Sequence, residues 1–305
     1  MKKIIPFIIF FVITINLFSQ EKCKNLQKGA TLYQLIEDGI DFSFQKNKFQ
    51  NKNELEVVTK IESDAVNFAL SYLKKTIKQK PNTLCDSEAF FYSGVLAAKL
   101  KKQDDAISFL EQFLEQNLIK KHQEFKTFRE THKGKAHYIL AKIYYQKEAY
   151  KKANSHIKNS KDWYSGAYSQ LFDKEEYLRS KTRILESNIY LKLKKPQTAI
   201  THLFGNIFHA NHANESNEMI DKAINIVKFD LNVDAFLLNV DNAILKYKKD
   251  SFGVMTIYSI EILDEKIELP FSWFKNIEDA EIENTIKKNI ENSFFYKEIL
   301  KLVKE

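Results

Sequence analysis

The sequence is poor in the residues that turn a chain. Its 305 residues include 7 glycines and 4 prolines, too few for an all-β fold, which needs a turn signal every ~8–12 residues. Cysteine is scarcer still, with only Cys23 and Cys85. No CxxC and no Cys/His zinc spacing occurs, and neither thiol has an obvious base partner. There is no GxSxG elbow, no HExxH helix and no glycine-rich phosphate loop. Acids are plentiful, but no carboxylate pair stands out by its spacing. His209 and His212, with His202 seven residues earlier, come nearest to a metal set. No carboxylate or cysteine joins them at ligand spacing, and Asn211, Asn214 and Asn217 mark the stretch as a loop. The expectation is a protein that is not an enzyme and uses no cofactor or metal ion.

One long apolar run is present, Ile4 to Phe18, preceded by Lys2 and Lys3 and followed by Ser19. Its ~15 residues fall short of the ~20 that span a bilayer, and the arrangement reads as a signal peptide over residues 1–19. Gln20, Glu21 and Lys22 before Cys23 are not a lipoprotein site. The expected location is periplasmic or secreted, with no stable membrane span after cleavage. Residues 1–19 hold two lysines and no acid, so cleavage lowers the formal charge from +7 to +5. That permits an acidic partner without calling for nucleic acid. Export also places both cysteines where disulfides persist. A Cys23–Cys85 bond and two separate thiols both satisfy the sequence, since only geometry decides.

The remainder reads as helix, with 29% charged and 44% hydrophobic residues. The clearest stretch is Tyr138 to Lys158, two short helices around a tight corner. The first is expected to bury Leu140, Ile143 and Tyr144, and the second Tyr150, Ala153 and Ile157. Ala141 and Ala153 lie twelve apart, and small side chains there let the two helices cross closely. The pair recurs as Gly94 with Ala106, and as Ser187 with Ala199. The steps from Ala106 to Ala153 and on to Ala199 are 47 and 46 residues, the signature of stacked helical hairpins.

Other elements follow from periodicity and punctuation. Glu21 to Gly29 reads as a polar lead-in, Leu32 to Phe49 as a helix, and Leu55 to Ile77 as a second. In the latter, Asp64 to Phe68 echoes Asp105 to Phe109, an earlier and degenerate repeat. Ser87 is placed to cap the Gly94 helix. Lys120 to Lys133 is a polar insert, either extra helical turns or a projecting loop. Helices are expected over Lys174 to Leu193 and Gln197 to Phe208, with Pro196 opening the latter, and then near Glu218 to Phe229 and Val233 to Lys248. Val254 to Leu263 and Ile267 to Phe274 read as a β-hairpin with a three-residue tip, Pro270 keeping the second strand at an edge. Asp279 to Glu291 and Ser293 to Val303 read as closing helices that cap the array. The organisation is thus a signal peptide (1–19), a helical repeat domain (20–250) and a C-terminal hairpin with a helical cap (251–305).

These repeats resemble tetratricopeptide repeats (TPR). The second supplies Ala141, Tyr144, Tyr150, Ala153 and Ile157 at the family's positions. The third supplies Ser187, Tyr190, Ala199 and Leu203, with Pro196 at the aromatic site; the first supplies Gly94, Ala106 and Leu110, with Ala97 where tyrosine is usual. The early tryptophan is replaced by His137 and Phe90, the closing proline is missing, and the period exceeds the family's ~34. The resemblance covers residues 87–208, and 31–80 more weakly. It implies a mainly α fold, an α-solenoid of antiparallel helix pairs whose concave face binds a protein or peptide segment.

The candidate contacts are Tyr144 and Tyr190 on first helices, and Trp163, Tyr164 and Tyr168 in the aromatic connector after the second repeat. Lysines at the corners (Lys99, Lys101, Lys102; Lys147, Lys151, Lys152; Lys192, Lys194, Lys195) form either a ridge for an anionic envelope polymer or a set of soluble corners. Two other functions fit less of the sequence. One is an envelope hydrolase or accessory subunit whose activity lies in the C-terminal region, near Asp250, Glu261 and Glu268. The other is a carbohydrate-binding protein that uses the connector.

Overall fold

The computed structural model describes residues 26–33, 52–77, 84–116, 126–160, 172–207, 214–252, 255–275 and 277–303. Residues 1–19, Cys23, Trp163, Tyr164, Tyr168, His209 and His212 lie outside them, as does the side chain of Cys85. The described residues are mainly helical, with one small three-stranded sheet. The chain divides into two compact units, one of residues 1–147 with 158–163, the other of 148–157 with 164–305.

In the first unit the helices are α1 (26–33), α2 (Lys52–Thr76), α3 (Leu84–Lys99), α4 (Gln103–Glu115) and α5 (Lys126–Gln146). Helix α3 is central and packs against α2, α4 and α5. Ala89, Phe90, Phe91, Val95, Leu96 and Ala97 are all buried on it, so apolar contacts enclose it on several faces, as suits an interior helix. Ala97, Ala106 and Ile143 meet where α3, α4 and α5 converge. The close crossing expected at Gly94 is present: a Cβ there would lie 2.5 Å from Leu110 Cγ and 3.3 Å from the Leu110 amide nitrogen. Helix α3 starts at Leu84, so Ser87 is buried inside it and is not a cap. Asp86 supplies the first-turn negative charge that suits a helix N-terminus.

Two other expectations in this unit need correction. From Leu26 onward the supposed lead-in is helical, and Leu26, Gly29 and Tyr33 are buried on one stripe of α1; residues 21–25 lie outside the described residues. A Cβ on Gly29 would sit 2.6 Å from Leu73 Cδ2, so this glycine is a packing surface and not part of a polar lead-in. On α2 the buried stripe is Val66, Ala69, Leu70 and Leu73, while Phe68 is 55% exposed. The echo of residues 105–109 therefore misplaces the contact by a turn, and Ala69 with Leu73 occupies the role given to Ala65. From Lys126 onward the polar insert is helix, lengthening α5; residues 120–125 lie outside the described residues.

The corners repeat in the backbone. Lys101, Glu148 and Lys194 have left-handed φ values of 59°, 59° and 58°, and they are spaced by the same 47 and 46 residues as the small pairs. At the first corner the Lys102 and Lys101 amides donate to the Ala97 and Ala98 carbonyls, both at 3.0 Å. At the third the Lys195 and Lys194 amides donate to Tyr190 and Leu191, both at 2.9 Å. This is the Schellman closure, normally built on glycine. A side chain in the left-handed region costs about 1–2 kcal/mol. Lys194→Gly is therefore expected to stabilise the chain by about 0.5–1 kcal/mol, read as a higher urea midpoint with unchanged slope.

The second unit holds most of α6 (Tyr150–Lys158), then α7 (Phe172–Lys192), α8 (Pro196–Ile207), α9 (Asn214–Asp230) and α10 (Val233–Leu245). Ala153 and Ile157 are buried as expected, whereas Tyr150 is half-buried. Three strands follow, β1 (Lys248–Phe252), β2 (Met255–Ile262) and β3 (Glu265–Glu268), and then α11 (Ile282–Asn292) and α12 (Phe294–Leu302). The sheet is antiparallel in the order β1-β2-β3, with Ile260 opposite Ile267. Its β2–β3 tip has two residues, Leu263 and Asp264, with φ of 52° and 63°. That turn matches strand twist better than the three-residue tip expected. Pro270 precedes a 3₁₀ turn (Phe271–Phe274) and does not lie in a strand. Asn232 and Ser293 cap α10 and α12, accepting from the Ala235 and Tyr296 amides at 2.8 and 3.2 Å. One core joins α8, α9, α10, the sheet and both closing helices, so the C-terminal segment is integral to this unit.

Candidate functional site

The densest group of ionisable side chains with altered chemistry lies in the first unit, where α1, α3 and α5 meet. Helix α3 contributes Glu88, Phe91 and Tyr92, one turn apart and so on neighbouring faces. The His132 ring of α5 lies against Phe91, centroids 4.0 Å apart and planes at 20°. It meets Tyr92 edge-on at 5.7 Å. Tyr92 in turn packs on Tyr33 of α1 at 4.7 Å. Lys135, one turn beyond His132, donates from Nζ to the Tyr33 hydroxyl oxygen at 2.8 Å. Burial, reinforced by the Lys135 charge, pushes the His132 imidazole down to about 3. Burial raises Glu88, and burial together with the Glu88 charge raises Tyr92. At neutral pH the imidazole and the Tyr92 phenol are uncharged. Among the described residues, the ring contacts of the imidazole are to Phe91 and Tyr92, and the cluster brings α1, α3 and α5 together. Its spacing was visible in the sequence as i, i+3 and i, i+4 pairs, but its assembly joins residues up to 102 positions apart.

The two tyrosines expected to line a groove are packed instead. Tyr144 and Tyr190 are each 7% exposed. The Tyr144 hydroxyl donates to Glu111 on α4 at 2.7 Å, and burial with that bond pushes it up to about 12. Tyr190 stacks on His202 of α8 at 4.9 Å with planes at 10°, and His202 Nδ1 lies 3.4 Å from Glu186. Neither ring offers an open face to a partner. The stripe missed in the sequence is Tyr138, Lys142 and Tyr145 on α5, at i, i+4 and i+7. Both tyrosines are half-buried and Lys142 is exposed. Its signal was ordinary helical spacing, overlooked because Tyr144 matched a repeat position and Tyr145 did not.

The corner lysines are partly neutralised. Lys147 pairs with Asp104 at 2.9 Å, and Gln103 donates to Gln146 at 2.9 Å. These bonds set the first two corners side by side. Of the C-terminal acids, Glu261 and Glu268 are exposed and Asp250 is half-buried; Asp250 pairs with Lys266 and Glu261 with Lys248, each at 2.8 Å. The Lys248 bond holds Glu261 below the usual carboxylate range, opposite to the shift a general acid needs. Among the described residues, no group of three or more His, Cys, Asp or Glu side chains is placed to hold a metal ion. No described helix is long and apolar enough to cross a membrane.

No protein-family model matches the chain, and no curated protein matches it in sequence.

Proposed function

We propose that this chain is an exported helical-repeat scaffold of TPR-like design, and that it binds a segment of an envelope protein. The observation that carries the reading is the recurrent left-handed corner at intervals of 47 and 46 residues. A period of that kind belongs to arrays whose neighbouring units share one core and present side chains in rows. The side-by-side bonding of the first two corners, Lys147 to Asp104 and Gln103 to Gln146, fits such stacking.

Tyr138, Lys142 and Tyr145 are the contact residues of choice, in place of the buried Tyr144 and Tyr190. Tyrosines lose few rotors on binding and supply much area, which makes them frequent anchors. Lys142 would select an acidic residue in the bound segment. Trp163, Tyr164 and Tyr168 lie outside the described residues and stay as secondary contacts.

The test is affinity capture from cell-envelope extract with residues 20–305 as bait, followed by a binding titration with the captured protein. A Tyr145→Ser, Lys142→Glu double variant of unchanged helicity is expected to weaken binding at least tenfold, since one anchor contributes about 2 kcal/mol. Equal affinity of the variant and the parent, or no specific partner for either bait, would remove the scaffold reading.

A further inference from the structure

We propose that the groove between α1 and the outer side of α2 is a second docking site, separate from the α5 stripe, and that it takes an acidic amphipathic helical segment of a partner protein.

The groove is built on a stripe that the core does not use. On α2, Val66, Ala69, Leu70 and Leu73 face inward. Ile61, Ala65, Phe68, Tyr72 and Lys75 recur at i, i+4, i+7, i+11 and i+14 on a different side of the same helix. Ile61 and Phe68 are 54% and 55% exposed, so two large apolar side chains of one stripe stand in water. Helix α1 forms the second wall. Gly29 seats it on Leu73, and Gln27, Lys28, Thr31 and Leu32 line an open cavity of about 510 Å³ with Phe68 and Tyr72.

Charge selects the occupant. The Lys28 and Lys75 ammoniums both lie over the Tyr72 ring, 5.7 and 5.4 Å from its centroid. Among the described residues, neither has a carboxylate partner. Phe68 meets Tyr72 edge-on at 5.1 Å, with planes at 88°. The Tyr72 ring is thus engaged by two cations and by Phe68, and it is not a bare platform on which a sugar could stack. What the groove presents is the exposed Phe68 ring beside two ammoniums. Asp64, one turn before Phe68, is the described acid beside the stripe; Lys28, Lys60 and Lys75, all exposed, outnumber it. A segment with carboxylates on its flanks would neutralise that excess while its apolar side covers Phe68 and Ile61. The stripe from Ile61 to Tyr72 runs about 16 Å along the axis, the length of about three turns of a bound helix.

Fluorescence anisotropy on the full chain tests this, with a panel of labelled three-turn peptides. Each carries leucine or phenylalanine at i, i+3 and i+7 and glutamates on the flanks. At least one is expected to bind with a Kd below about 100 μM. Phe68→Ser should weaken that binding roughly tenfold or more, and so should the Lys28→Glu, Lys75→Glu pair. All three side chains are exposed, so circular dichroism should show unchanged helicity; if the lysine pair perturbs it, Phe68→Ser decides alone. Glutamine in place of the probe's glutamates should cost a similar factor. The Tyr145→Ser, Lys142→Glu variant should bind the probe as the parent does, which separates this groove from the α5 stripe. Four outcomes would each overturn the proposal: no panel member bound below about 100 μM, equal affinity for glutamate and glutamine probes, binding insensitive to Phe68→Ser, or binding lost in the α5 variant alone. The last would leave the scaffold reading intact. Sedimentation equilibrium without peptide covers the other occupant: self-association abolished by Phe68→Ser would assign the groove to a second copy of the chain and overturn the proposal as well.

Discussion

Gly94→Leu is expected to unfold the first unit. The Cβ alone would overlap Leu110 Cγ and Cδ2, at 2.5 and 2.6 Å. Leu110 is fully buried and cannot swing aside, and its amide nitrogen at 3.3 Å belongs to the α4 backbone. Relief would require α3 and α4 to separate, which would break the contact among Ala97, Ala106 and Ile143 as well. Overpacking by single methylenes costs about 1–3 kcal/mol. A leucine adds four heavy atoms at a site with no room for one, so the loss should exceed about 4 kcal/mol, within the range of the most damaging core substitutions. Gly94→Ala is the graded control. Its clash is offset by up to about 1 kcal/mol of helix propensity, and it should fold with a lowered midpoint. Circular dichroism with urea titration distinguishes the cases: loss of a large share of the helical signal for leucine, a shifted midpoint for alanine. Full stability of Gly94→Leu would show that the crossing is not as close as 2.5 Å implies.

Phe295→Ala is expected to cost about 3–5 kcal/mol, the usual range for a buried phenylalanine. Phe295 is fully buried on α12. Its ring meets Phe236 of α10 edge-on at 6.0 Å, and Phe236 lies 6.2 Å from Phe204 of α8. The three rings tie the closing helix to two earlier ones, so the truncation opens a cavity in the middle of one continuous core. Edge-on ring pairs also contribute about 0.5–1.5 kcal/mol beyond their buried area. A double-mutant cycle with Phe236→Leu should recover a coupling of that size. The result bears on the C-terminal segment as a whole. If α12 were a detachable cap, Phe295→Ala would leave the α9–α10 region as protected as before. If it is part of the core, as the shared cluster indicates, protection should fall across α8 to α12 together.

By itself the sequence determined what depends on neighbours a few residues apart. Helical content followed from composition. The repeat followed from the small residues at Gly94, Ala141 and Ser187, whose 47- and 46-residue steps reappear in the left-handed corners at Lys101, Glu148 and Lys194. The ends of the last helices were readable because Ser293 caps within its own turn. Tertiary structure decided the rest. Strand β1 shows no apolar alternation and exists because it pairs with β2, assisted by Lys248–Glu261 and Asp250–Lys266. Gly29 reads as the end of a polar lead-in, whereas in the fold Leu73, 44 residues on, packs against it. Tyr144 and Tyr190 match a binding position in sequence, but Glu111 and His202 engage them inside the fold. His132, one of the chain's 7 histidines, lies in a polar insert; Phe91 and Tyr92, supplied by another helix, give it an aromatic setting. Propensity and periodicity act over one or two turns, whereas burial and ionisation depend on which distant side chains arrive.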